Sequence, residues 1–451
     1  MKRLPAAFLL LASCAFAQNT ADLKTEVAEL RALVLKLQSR VDQLEARTQA
    51  PAPPPPSAAA ALTPPAAPAT ATAPVIASGP LAGTTFNFVL DGYYGYNFNA
   101  PIGRANLLRA YDVTSNGFSL NQAAVVIENA PDPAHGKRFG ARLDLQFGQA
   151  TATLQGNPVN EPRPAIYRNV FQAYGTYVVP VGSGLTVDFG KFASALGFEN
   201  NYTKDQLNYS RSYWFNFLPF YHMGARASYQ PKTWLTLNYW MVNGTGWTEP
   251  FNAYKDQFAG VALQYKKVSW NLNYYRGQEH PDFEYVTNPG PGDAALPSQQ
   301  GTLFRPISPA ANGKLHIVDS YLNWQAAPRL QLAIEGDYVI QREQSYSAPA
   351  RTSGGAVYGR YQVSPRFSIA ARAEYVGDRG GLFSGASQSL KETTLTFDHK
   401  LADGFVVREE FRRDFSNHAY FLTDRLGVLK KEQSTATIGL VWWFGAKQGA
   451  W

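Results

Sequence analysis

Six histidines are available for acid–base or metal chemistry in this 451-residue chain: His135, His222, His280, His316, His399 and His418. They are scattered, with no two at the spacing of metal ligands, and no HExxH, GxSxG or Walker sequence occurs. The single cysteine, Cys14, excludes a disulfide framework and a thiolate metal site. The nearest approach to a nucleophilic site is His418 beside Ser416 and Asn417, with Asp414 close in sequence. Nothing further supports catalysis there. No catalytic residue, cofactor or metal is therefore assigned, and the chain is not expected to be an enzyme.

A different chemistry is written in the arginines and carboxylates. Arg142, Arg226, Arg360, Arg372, Arg408 and Arg412 share the polar positions of alternating segments with Asp144, Asp188, Glu335, Asp337, Glu374 and Glu410. Side chains that alternate with apolar ones in this way line one face of a sheet. A second group lies in residues 194–220, where Lys204, Asp205 and Arg211 stand among Tyr202, Tyr209, Tyr213, Trp214 and Phe215. If the sheet closes around water, these groups set the diameter and local field of a channel, as charged rings do in ion-selective pores. The expected lumen and constriction residues are Lys191, Lys204, Asp205, Arg211, Arg142, Asp144, Arg226, Arg372, Glu374, Arg408 and Arg412. For the wall charges the alternative is cross-strand pairs that satisfy one another. For residues 194–220 it is an outward cap with solvated charges.

The elements that must carry these residues follow from a period of two. Leu235, Leu237, Tyr239 and Met241 interleave with Thr236, Asn238 and Trp240. Ala141, Leu143, Leu145 and Phe147 interleave with Arg142, Asp144 and Gln146. Sixteen such segments are predicted, near 85–96, 118–128, 139–148, 166–179, 185–193, 221–230, 234–243, 256–266, 268–277, 314–326, 330–342, 355–363, 367–377, 390–401, 405–415 and 434–444. Seven of the connections, mostly tight turns such as Ala402-Asp403-Gly404, alternate with eight longer ones. Short turns on one side and long loops on the other are the pattern of an outer-membrane barrel, and an even strand count returns both ends to the short-turn side. Composition agrees. Aromatics make up 14% and charged residues only 17%, and beyond the first residues no window has the roughly 18 consecutive apolar residues of a membrane helix. The fold class expected is all-β: a transmembrane antiparallel β-barrel of about 16 strands, preceded by a coiled-coil helix.

Ahead of the barrel (85–451), three segments are read. Residues 1–17 have Lys2 and Arg3, an apolar stretch and the ending Ala15-Phe16-Ala17, the pattern of a secretory signal peptide. Leu11-Ala12-Ser13-Cys14 resembles a lipobox, but a barrel rarely needs a second membrane attachment, so cleavage after Ala17 is preferred. In residues 18–47 the seam Leu23, Val27, Leu30, Val34, Leu37, Val41 and Leu44 keeps heptad spacing, predicting a parallel periplasmic coiled coil and hence a homo-oligomer. Residues 48–84, rich in Pro and Ala, form an extended linker that at about 3.1 Å per residue reaches on the order of 100 Å. The net charge of +7 is spread without a basic run of five, so no nucleic-acid partner is expected.

With these residues in view, the barrel resembles the OmpL-like outer-membrane β-barrel porins. The resemblance rests on Leu90-Asp91-Gly92-Tyr93-Tyr94-Gly95-Tyr96-Asn97, Phe118-Ser119-Leu120-Asn121-Gln122-Ala123 and Phe139-Gly140-Ala141-Arg142-Leu143-Asp144-Leu145. More specific still are Asp188-Phe189-Gly190-Lys191-Phe192, Leu196-Gly197-Phe198-Glu199, Asn208-Tyr209-Ser210-Arg211-Ser212 and Pro219-Phe220-Tyr221-His222. It covers residues 86 to about 230, and beyond them only the barrel style matches. It implies passive diffusion of small hydrophilic solutes across the bacterial outer membrane, without naming a solute. The coiled coil and proline spacer are similar to those of trimeric porins with periplasmic extensions, which favours a trimer. A second expectation, from a structural class, is an anchor that tethers the envelope through the coiled coil.

Overall fold

The computed structural model describes residues 82–155, 164–286, 294–295 and 303–446. The predicted signal peptide, coiled coil and linker up to residue 81 lie outside these residues. From Thr84 the chain forms sixteen antiparallel strands, each paired with the next in sequence, and the last closes on the first. They are β1 (Thr84–Asn97), β2 (Gly117–Asn129), β3 (Phe139–Phe147), β4 (Val170–Val179), β5 (Leu185–Ala193), β6 (Tyr221–Lys232), β7 (Leu235–Val242) and β8 (Asp256–Tyr265). There follow β9 (Val268–Gly277), β10 (Leu315–Ala327), β11 (Leu330–Gln341), β12 (Ala350–Ser364), β13 (Phe367–Arg379), β14 (Gln388–Ala402), β15 (Phe405–Ser416) and β16 (Glu432–Gly445). The seam between β1 and β16 runs from Asn87 opposite Gly445 to Asn97 opposite Thr435. Closure leaves no strand edge unpaired, the condition for a sheet to sit in hydrocarbon.

The sixteen predicted segments are the sixteen strands. The largest shifts are at β12, which starts at Ala350 rather than 355, and at β4, which starts at Val170 because Pro164–Tyr167 turns as a helix. Proline suits such a start, since its missing N–H has no partner in a first helical turn anyway.

Alternation sorts the side chains as expected. In β13, Ala371, Ala373 and Tyr375 face outward, while Ala370, Arg372, Glu374 and Val376 are buried inside. Near the short-turn ends, Phe139, Tyr177, Tyr265, Trp324, Tyr361 and Phe444 are exposed on the outer surface, an aromatic girdle suited to a membrane interface. Ile334, midway along β11 and 54% exposed, faces where acyl chains would lie. Ile334→Arg is expected to destabilise the folded barrel by about 2–4 kcal/mol. Urea titration of protein refolded into lipid vesicles reads this, and a cost near zero would mean this face does not meet lipid.

At the long-loop end the inner face is apolar. There the inward positions are Leu315, Ile317, Val339, Val376 and Leu390, all buried. They pack in one cluster with Trp214 and Leu218, which come from the long connection between β5 and β6. An apolar position facing inward is stable only if something dry covers it, and here the loop does. Two outer connections also carry structure of their own: a three-stranded sheet of Phe283–Val286, Ala294–Ala295 and Leu303–Pro306, and the pair Phe421–Leu422 with Leu429–Lys430.

Candidate pore constriction

Residues 194–220 leave β5 and re-enter the chain at β6 after folding into the barrel. Tyr202, Tyr209, Arg211, Tyr213 and Trp214 along them are almost wholly buried. The segment has little regular structure: a 3-10 turn at Thr203–Asp205 and a short helix, Tyr213–Phe217, capped by Ser212 Oγ accepting from Phe215 N. Most of its backbone N–H and C=O groups have no helical or sheet partner, yet burial requires that they find one.

The wall supplies those partners. Carboxylates accept from loop N–H groups: Glu335 from Phe198 at 2.8 Å, Glu374 from Tyr213 at 2.9 Å, and Glu410 from Tyr209 at 2.6 Å and Ser210 at 2.9 Å. Arginines donate to loop carbonyls: Arg372 to Ser210 at 2.8 Å, and Arg408 to Thr203 and Gln206, each at 2.7 Å. Arg412 reaches the Arg211 carbonyl. Side chains complete the attachment. The Tyr202 hydroxyl donates to Asp144 at 2.5 Å, and that of Tyr209 to Asp91 at 2.7 Å. Gly439 makes room for the second of these, because a Cβ there would come within 2.3 Å of the Tyr209 ring.

The expected residues are therefore placed as follows. Arg372, Glu374 and Arg412 form one buried centre with Glu199, Glu392 and Asp414. Within it Arg372 pairs with Glu199 at 2.8 Å and Glu392 at 3.0 Å, and Arg412 with Asp414 at 2.8 Å. Arg408 pairs with Asp398 at 2.8 Å, Arg226 with Asp188 at 2.6 Å, Arg142 with Asp144 at 2.8 Å and Lys204 with Asp205 at 2.7 Å. Arg211 donates to the Asn200, Asn201 and Tyr209 carbonyls and stacks over Tyr111, so its charge orders the loop itself. Lys191, on the strand parity of the outward-facing Phe189, is buried with Nζ 3.9 Å from the Tyr221 ring centroid. The His418 group is not assembled: Ser416 Oγ donates to Gln388 and accepts from the His418 backbone, while Asp414 is taken up by Arg109, Arg412 and Tyr213.

Alternation did not reveal several members of this network. Glu392 sits in Lys391-Glu392-Thr393-Thr394, polar on both faces, so no period marks which side looks inward. Arg109 lies in the connection between β1 and β2, which also enters the barrel. It pairs with Asp112, donates to Asp414 at 2.6 Å and to Thr435 at 3.0 Å, and no spacing announces it.

Two cavities flank the loop. On the long-loop side, one of about 380 Å³ is lined by Phe217, Leu218, Phe220, Trp247, Ile317, Val339 and Glu279 among others. Burial pushes the Glu279 carboxyl well above the usual carboxylate range, with neighbouring Asp256 adding to the effect. On the short-turn side, a cavity of about 280 Å³ is lined by Lys204, Arg360, Arg366, Lys400 and Arg408 against a single carboxylate, Asp398. The arrangement can narrow a channel, exclude bulky solutes and present a basic inner mouth.

Comparison with known proteins places this geometry. Residues 83–444 match the family model described as "Putative beta-barrel porin-2, OmpL-like". No curated protein matches the chain. Among solved structures, the outer membrane channel DcaP of Acinetobacter baumannii is similar at 9% identity and a TM-score of 0.51, covering 80% of this chain and 97% of that one. An anion-selective porin from Comamonas acidovorans is similar at 9% identity and a TM-score of 0.51, covering 80% and 99%. OmpT of Vibrio cholerae is similar at 11% identity and a TM-score of 0.49, covering 80% and 97%. Identities this low speak to the fold alone.

Proposed function

This chain belongs to the OmpL-like β-barrel porin family, and from that premise we propose that it carries small hydrophilic solutes passively across the outer membrane, through a lumen narrowed by residues 194–220. The observation that supports this reading most is the fixing of that loop by wall carboxylates and arginines between two cavities. A sixteen-strand barrel leaves an aqueous interior that wall side chains alone do not fill, so whatever occupies the centre sets the passage. Here most wall charges serve the loop's backbone or pair with one another, which leaves little free field at mid-height. Residual selectivity comes from the inner mouth, where Arg360 and Arg408 share Asp398, Lys204 and Lys400 hold Asp205 and Asp403, and Arg366 adds a further positive charge, an excess that favours anions weakly. In the same reading the protein is a homotrimer whose residues 18–47 form a periplasmic coiled coil carried on the 48–84 linker.

Recordings in planar lipid bilayers test the proposal. Purified, folded protein is expected to insert with small stepwise conductance. Arg360→Gln together with Arg366→Gln is expected to move the reversal potential under a salt gradient towards cations by several millivolts while the barrel stays folded. Inserted protein without conductance steps would defeat the pore assignment; an unchanged reversal potential would defeat only the role of the inner mouth.

A further inference from the structure

Three buried carboxylates on β10 and β11 stand together without a cationic partner among the described residues. Asp319 stands directly across the strand pair from Asp337, and Glu335 follows on the same inner face. One oxygen of each lies within 4.8 Å of those of the other two. Like charges placed directly opposite across a sheet repel. Among the described residues, no Lys, Arg or His comes within 4.0 Å of any of the three, whereas Asp144, Asp188, Glu392, Asp398 and Asp414 each have an arginine. Glu335 and one oxygen of Asp319 find neutral donors: Phe198 N and the Tyr358 hydroxyl for the former, Asn273 Nδ2 at 2.7 Å for the latter. Asp337 does not. It is about 5% exposed, and both its carboxylate oxygens are buried without a hydrogen-bond partner, as is Oδ1 of Asp319. A buried carboxylate with neither oxygen satisfied costs several kcal/mol, a cost that a bound cation, or a proton shared between Asp337 and Asp319, would remove.

We propose that Asp319, Glu335 and Asp337 bind a hard divalent cation of the calcium class in the wall of the lumen. All three donors are oxygens, which excludes a preference for soft metals. Calcium takes carboxylate oxygens at about 2.3–2.6 Å in flexible geometry, so two ligands on opposite sides of one ion lie up to about 5 Å apart. The span of the cluster fits. The open oxygens of Asp337 and Asp319 are the ones left to coordinate, and water completes the shell. Glu335 also holds Phe198 N, and Asn273 holds both Asp319 and the Ala195 carbonyl. The ion would therefore tie the first turn of the constriction loop to β9, β10 and β11.

The test uses the full-length, detergent-folded protein and Ca²⁺ itself. Equilibrium dialysis after chelator treatment is expected to return about one ion per chain, and added Ca²⁺ to raise the unfolding temperature by several degrees. Asp337→Asn should lose at least tenfold in affinity and most of that thermal shift. Asp337→Asn also removes a repulsion, so without an ion at this site it should be more stable than the parent with or without chelator. That result, or a parent protein that binds no Ca²⁺ and melts identically in chelator, overturns the proposal. Both readouts are independent of conduction.

Discussion

Arg372→Ala is expected to cost about 3–5 kcal/mol of folding free energy, the range for removing one partner of a buried ion pair. Its guanidinium is fully buried and bonded to Glu392, Glu199, the Ser210 carbonyl and, at 3.2 Å, the Ser210 hydroxyl. Without it two carboxylates remain in a low-dielectric site, and Glu392 retains only the more distant Arg412 at 3.7 Å as a cation. The physical origin can be isolated, because Arg372→Ala with Glu392→Gln removes one of the stranded charges and should recover part of the loss. Urea unfolding followed by tryptophan fluorescence reads both variants. A cost below about 1 kcal/mol, the value for a solvated surface pair, would mean that water reaches this centre and that the loop is held elsewhere.

Replacing residues 199–216 by a short glycine–serine segment is expected to raise single-channel conductance several-fold while the barrel still closes. Closure depends on sixteen strand-to-strand ladders, none of which uses this segment. What the segment supplies is bulk in the lumen: Tyr202, Tyr209, Tyr213 and Trp214, together with the backbone that the wall charges bind. Its removal leaves Leu315, Ile317, Val339 and Val376 facing water, so a lower unfolding temperature should accompany the wider passage. If conductance stays unchanged in a variant that folds, the narrow point lies elsewhere in the lumen and the role assigned to this loop fails.

The barrel was legible because lipid and closure impose a period of two on every strand. Leu143 and Asp144, or Phe411 and Arg412, take opposite faces whatever the rest of the chain does. Strand limits followed from where that alternation stops, and the sidedness of turns and loops from their lengths. The inward direction of Arg142, Arg372, Arg408 and Arg412 was legible for the same reason. The signal was silent for Glu392, where both faces are polar, and misleading for Leu315, Ile317 and Val339, which are apolar yet point inward because a loop covers that face.

Sequence alone thus determined a closed sheet with grease outside and charges inside, since each strand meets the same two environments and answers them locally. Only the tertiary structure decided what those charges do. Arg372 meets Glu199 across 173 residues, and Tyr209 N meets Glu410 across 201, contacts that no local pattern records. Whether an inward arginine faces water, a neighbouring carboxylate or a loop carbonyl depends on how a distant segment folds into the lumen. That folding is set by the need of every buried backbone group for a partner, a requirement settled by the whole barrel at once.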